Sequence, residues 1–432
     1  MTDRPDFETM LERRMRAYAA TGVRTTPVHE VVRSTLWAAE TPVGRTSRRG
    51  GPRRPALLLG LAALLLLGTV AGAAMVGRLP RTIQGVFVAG PSLDGGRAVS
   101  ALALPDGRIV AGVTVDEVDH GSGALHCPPR CRAHLAILDP GSDAFQLTAY
   151  PPAGLAVESM ALLHDGRVLL LDQSIDGQPG ATIYDLAADR WESVGQPSQR
   201  RRLALLVTLE DGRVLVAGGE DDGPLATAEL FDPATGMFSP TGSMTRPRMV
   251  DATATLLSDG RVLFVGGGPD RGASAELYDP ATGVFAPTGD TTSARGGFHS
   301  ATRLADGRVL LAGGLAPIAT DSAEVYDPAS GTFTVVGPMT GRRFMHAAAL
   351  LSDGTVLVAG GADASAPEGP PTVTADAEIF DPATGTFRAT ANLRHPRLSA
   401  VAVAADGRVL ILGHLDPSGS DTVVGASTEW FE

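Results

Sequence analysis

The chain has 432 residues, 44% of them apolar and only 5% aromatic, with 52 Gly and 31 Pro. That composition suits many short strands joined by tight turns in one large closed architecture. All 36 basic residues are Arg, so no lysine is available as Schiff base or general base. The formal charge is −12, and residues 1–55 hold eleven Arg against six Asp and Glu, which leaves −17 for the rest. So acidic a part repels phosphate backbones, and nucleic acid is excluded as its partner.

Residues 1–55 read as a short helical N-terminal stub. Phe7, Met10, Leu11, Arg14 and Tyr18 follow helical spacing behind Asp6 as N-cap. A second short helix is expected after Thr26-Pro27, with Val28, Val31, Val32 and Leu36 on one side. Helices this short are marginal alone, so the stub reads as a juxtamembrane spacer. The alternative is a docking segment for a cytoplasmic regulator.

Residues 56–77 run 22 positions without a charge, the length of one transmembrane helix. Upstream lie Arg45, Arg48, Arg49, Arg53 and Arg54; downstream only Arg78 and Arg81 follow. This bias puts the N-terminus in the cytoplasm and the remainder outside, as a single-pass signal-anchor protein of the cell membrane. The rival reading is a cleaved signal peptide ending near Ala71-Gly72-Ala73, but its basic leader would be 55 residues long.

From residue 82 to 432 the sequence repeats. Asp-Gly, in most copies followed by Arg, opens an apolar run at Asp106, Asp165, Asp211, Asp259, Asp306, Asp353 and Asp406, with spacings of 59, 46, 48, 47, 47 and 53. A period near 47 signals a propeller or solenoid. Residues 298–337 carry the clearest copy. Residues 298–304 alternate apolar and small polar side chains, Asp306-Gly307 marks a tight hairpin, and residues 308–311 continue as a buried strand up to Gly313-Gly314. Residues 323–326 give a third strand, and 332–336 a fourth. Between them Asp327 accepts backbone bonds, Pro328 presets φ, and Gly331 takes the left-handed position. The unit is a four-stranded antiparallel meander.

This pattern resembles the kelch repeat. Double glycines stand at Gly218-Gly219, Gly266-Gly267, Gly313-Gly314 and Gly360-Gly361; the family's Tyr slot holds Tyr184, Phe231, Tyr278, Tyr326 and Phe380. Its Trp slot holds Trp191 once and otherwise Phe238, Phe285, Phe333 and Phe387. The resemblance implies an all-β, seven-bladed kelch-type β-propeller over 82–432. It leaves function open, since such propellers serve many.

The seventh repeat stops at its third strand, Trp430-Phe431-Glu432, while residues 85–97 read like the fourth strand and exit loop of other repeats. Residues 83–89 are therefore expected to pair beside the C-terminal segment and close the ring. The closing strand would begin at the face of the tight turns, about five residues after the apolar segment, a reach of at most roughly 18 Å. That orientation lays the tight-turn face against the bilayer and points the loop face outward. The longer spacings place insertions near residues 115–132 and 362–375 on that loop face, where recognition is usual.

Cys127 and Cys131 sit in one short loop, residues 126–134. Outside the cytoplasm a disulfide is expected. A zinc site with His126 and His134 is the alternative, although its spacing matches no common zinc pattern. Arg97, Arg200, Arg248, Arg295, Arg342 and Arg397 recur nine or eleven residues before the anchors. As a ring they would bind carboxylate or sulfate groups of an anionic glycan. Alternatively they pair with the recurring Glu229, Glu276, Glu324, Glu378 and Glu429, and repetition in nearly every blade favours this structural role. His299 and His346 share a slot that reads as packed.

Copper oxidases built on kelch propellers need a cross-linked Tyr–Cys pair with further Tyr and His ligands. Here both cysteines share one loop, and three of only five tyrosines fill repeat slots. No Gly-x-Ser-x-Gly elbow, phosphate loop or HExxH occurs. No catalytic residue, metal or cofactor is assigned. The expected function is a membrane-anchored extracytoplasmic binding module for carbohydrate or protein; the alternatives are a surface enzyme acting on glycans and a sensor signalling through the stub.

Overall fold

The structure is a computed structural model that describes residues 85–93, 97–116, 131–148, 159–173, 179–249, 251–268, 272–316, 318–364, 371–415 and 427–432. The stub, the apolar segment 56–77 and Cys127 lie outside these residues. No helix among the described residues is long and apolar enough to cross a membrane.

Seven four-stranded antiparallel sheets form the blades of a β-propeller, in the order the repeats predict. Blade five is representative: Ser300–Arg303, Val309–Ala312, Ala323–Asp327 and Thr332–Val335 pair in sequence. The first strands pack side by side around the ring, and that of blade seven meets both blade six and blade one.

Blade seven draws on both ends of the chain. Phe87–Ala89 pairs antiparallel with Glu429–Phe431, in the register Phe87↔Phe431, Val88↔Trp430 and Ala89↔Glu429. Val86 and Glu432 extend the ladder with reciprocal bonds of 3.1 Å. Positions 83 and 84 of the expected pairing lie outside the described residues. An aromatic pair joins the third and fourth strands of most blades, as Tyr326–Phe333 does with centroids at 4.7 Å. In blade seven that pair is Phe87–Phe431, at 5.0 Å. The rings fill the seams: Val262, Phe264, Tyr278 and Phe285 of blade four pack on Leu215 and Leu230 of blade three. Burying each ring contributes about 1.5–3 kcal/mol.

The Asp-Gly-Arg turns have a chemical reason beyond the hairpin. Asp306 accepts from the backbone N–H of Arg308 at 3.1 Å and from its Nε at 2.8 Å, while Gly307 takes φ 89°. The Arg308 guanidinium holds the Asp306 carboxyl below the usual range. The residue that sequence alone reads as the start of the second strand thus reaches back to brace its own turn.

Candidate functional site

The first and second strands run from the tight turns to the opposite face, where the loops within blades and between blades collect. Beneath those loops lies a repeated ion pair. Arg248 donates from Nε to Glu276 at 2.8 Å and from Nη1 to the Gly266 carbonyl at 2.5 Å, with both side chains almost fully buried. The other Glu276 oxygen accepts from the Thr245 N–H at 2.8 Å, so one carboxylate pins the guanidinium and the loop before it. Arg295–Glu324, Arg397–Glu429, Arg201–Glu229 and Arg343–Glu378 repeat the arrangement at 2.7, 3.0, 3.2 and 2.6 Å. Burial lowers the affinity of Arg295 for its proton, and Glu324 partly restores it. Burial alone would raise the Glu324 carboxyl, but the Thr292 N–H and Arg295 bring it below its ordinary value.

The predicted arginine ring is therefore placed in three ways. Arg248, Arg295 and Arg397 occupy the buried pairs. Arg200 and Arg342 do not: the paired residues are their neighbours Arg201 and Arg343, because the stretch from the ion pair to the first strand differs in length between blades. Arg97 begins the first strand of blade one, and its side chain lies outside the described residues. Among the described residues, Arg246, Arg342 and Arg394 are exposed on the loop face, and Arg200 and Arg202 are half-buried. Arg246 and Arg394 were not singled out by periodicity, since they occupy no common slot.

The double glycines let these loops approach. A Cβ on Gly313 would meet the Arg343 carbonyl at 2.4 Å and His346 Cε1 at 2.8 Å. His346 Nε2 bonds Ser300 Oγ at 2.9 Å, and His299 Nε2 bonds Thr253 Oγ1 at 2.9 Å, each reaching the preceding blade. Burial, with Arg295 and Arg248 nearby, pushes His299 down to about 3; burial and Arg343 do the same to His346. Both are packed and neutral.

Just inside the loop face, Phe298 and Met345 adopt left-handed φ of 59° and 53°. That conformation turns the Phe298 N–H to the Asp251 carbonyl and the Met345 N–H to the Phe298 carbonyl, both at 3.0 Å. A main-chain girdle so links blades four, five and six. From blade six, Ala362–Asp363 and Thr372–Val373 pair as the base of the predicted insertion.

The described tyrosines are engaged: Tyr184 donates to Asp189 of its own blade, and the other two bridge neighbouring blades. Tyr278 and Tyr326 bond Thr241 and Thr288, each at 2.9 Å, and burial raises both phenols. Cys131 opens the third strand of blade one, but its side chain lies outside the described residues, as does Cys127. Among the described residues no three His, Cys, Asp or Glu side chains gather as a metal cluster would require.

No protein-family model matches the chain, and no curated protein sequence is similar to it. Among solved structures it is similar to a fungal alcohol oxidase of the AA5 family in complex with copper: 17% identity, TM-score 0.62, covering 81% of this chain and 76% of that one. It also aligns with the structure of YjhT at 15% identity and TM-score 0.48, covering 65% of this chain and 95% of that one. Identity this low speaks to fold alone. By fold, the chain is a seven-bladed β-propeller.

Proposed function

We propose that the chain is a kelch-type propeller held outside the cell by residues 56–77 as a single-pass anchor, and that its loop face binds a carbohydrate or protein ligand. One observation carries this reading. The repeated charged side chains are consumed in buried pairs, while the surface above them carries residues that differ from blade to blade. A rigid floor under variable loops is the usual arrangement of a recognition surface. Arg246, Arg342 and Arg394 give that surface donors suited to carboxylate or sulfate groups.

The test is a glycan and cell-wall polymer array probed with the full-length chain in detergent. Retention of acidic polymers is expected, and it should fall at least tenfold in the triple variant Arg246→Glu, Arg342→Glu, Arg394→Glu. Retention indifferent to all three changes would place any binding elsewhere.

A further inference from the structure

At the tight-turn face the first strands of blades one to six end on one shared slot around the axis: Ala103, Leu162, Thr208, Leu256, Arg303 and Leu350. In each blade the following residue donates its N–H to the start of the second strand, as Leu304 does to the Arg308 carbonyl at 2.7 Å. Bonding positions alternate along an antiparallel pair. The slot residues therefore turn their own N–H and C=O groups away from the second strand, toward the axis. Two cross-blade bonds agree with this. Thr208 Oγ1 donates to the Leu162 carbonyl at 2.7 Å, and Arg303 Nη1 donates to the Leu256 carbonyl at 3.1 Å.

Arg303 is the one charged residue in the slot, and it is exposed. The other arginines near it on this face have carboxylate partners. Arg108, Arg167, Arg213, Arg261 and Arg308 each pair with their own turn aspartate at 2.6 to 2.8 Å, and Arg408 pairs with Glu432 at 3.2 Å. The Arg303 guanidinium meets no carboxylate among the described residues, and its bond to Leu256 uses one of the five N–H donors of such a group. The same two cross-blade bonds also occupy two of the inward carbonyls, those of Leu162 and Leu256. Donors are thus in excess around this end of the axis, and one of them carries a full charge. Among the turn aspartates of the described residues, only Asp353, braced by Thr355, and Asp406 have no arginine partner.

We propose that this end of the axis binds a small tetrahedral oxyanion, inorganic phosphate or sulfate. Arg303 is its cation, and inward N–H groups of the neighbouring first strands are its further donors. A guanidinium beside several main-chain N–H groups suits an ion that offers acceptors in several directions. Such an ion would tie the first strands of adjoining blades together at the end of the axis opposite the loop face. The site shares no residue with the loop-face arginines and does not depend on ligand recognition there.

The test is phenylglyoxal footprinting of the full-length chain in detergent. Modification is read residue by residue by mass spectrometry, after digestion with a protease that does not cut at arginine. Arg303 should react readily in buffer free of oxyanions, and excess inorganic phosphate or sulfate should slow it about fivefold or more. Chloride at equal ionic strength should leave the rate unchanged, because the effect is coordination and not screening. Thr208→Val keeps the shape of the side chain but returns the Leu162 carbonyl to the ring as an open acceptor. Half-protection of Arg303 should then need about threefold to tenfold more phosphate. No protection of Arg303, protection matched by chloride, or half-protection indifferent to Thr208→Val overturns the proposal. So does equal slowing at the paired Arg308, which would report a general loss of reagent access.

Discussion

Thr241 and Tyr278 hydrogen-bond at 2.9 Å across the seam between blades three and four, and the residue types at these two positions change together in four of the seams. Thr288 faces Tyr326, also at 2.9 Å, whereas Val194 stands in the seam with Phe231 and Val336 in the seam with Phe380. Hydroxyl meets hydroxyl, and methyl meets ring. These four seams thus satisfy their facing hydroxyls or have none, which keeps those blades matched in a fold whose blades otherwise look alike; in the seam between blades six and seven the buried Thr390 hydroxyl has no partner among the described residues.

This matching predicts a coupled pair. Tyr278→Phe and Thr241→Val should each destabilise by about 1–2 kcal/mol, and the double variant by less than their sum, with a coupling of about 0.5–1.5 kcal/mol. Phe231→Tyr should destabilise, because its hydroxyl would be buried against Val194. Denaturant unfolding measures all of these; strict additivity at Tyr278 and Thr241 would contradict the pairing.

The buried ion pairs predict a larger loss without any loss of binding. Arg248→Leu strands the Glu276 carboxylate in a dry site, and breaking such a pair costs about 3–5 kcal/mol. Arg248→Leu with Glu276→Leu should recover much of that. Folded Arg248→Leu should retain the ligand affinity of the parent, since the guanidinium never reaches the surface. Selective loss of affinity at unchanged stability would return Arg248 to the binding ring.

Stability should also fall in mild acid. His299 and His346 are pushed down to about 3, while the unfolded chain protonates near 6.5. Their contribution is complete above pH 6.5, and each loses about 1.4 kcal/mol per pH unit as the pH drops toward the folded value. From pH 7.5 to 4.5 the two together should cost about 5 kcal/mol. The turn aspartates such as Asp306, lowered first by the Arg308 hydrogen bond, lose their contribution only at lower pH. Urea midpoints across this range, compared with a His299→Gln, His346→Gln variant, isolate the imidazoles. Parallel pH profiles would contradict their neutral burial.

Much of the fold is legible in the sequence because its determinants are local. Asp306-Gly307 and Asp327-Pro328-Ala329-Ser330-Gly331 fix turns through their own backbone chemistry, and the residues of 85–89 resemble other fourth strands closely enough to identify the closing segment. The ion pairs were legible as a choice of partners but not as a register. Arg295 reaches His299 through three intervening residues and Arg343 reaches His346 through two, so counting back from the anchor selects Arg342 one position early. The Thr–Tyr matching lies beyond any local pattern. Thr241 and Tyr278 are 37 residues apart, and only the order of blades brings them together.

The ring itself rests on Phe87–Ala89 lying beside Glu429–Phe431 within one molecule. Val88 and Trp430 are direct cross-strand partners, at a separation that a disulfide spans. In the variant Val88→Cys, Trp430→Cys, oxidised and digested without reductant, mass spectrometry should find the peptides containing positions 88 and 430 joined in the monomer. Both thiols free, or joined only between two molecules, would contradict the closed seven-bladed ring.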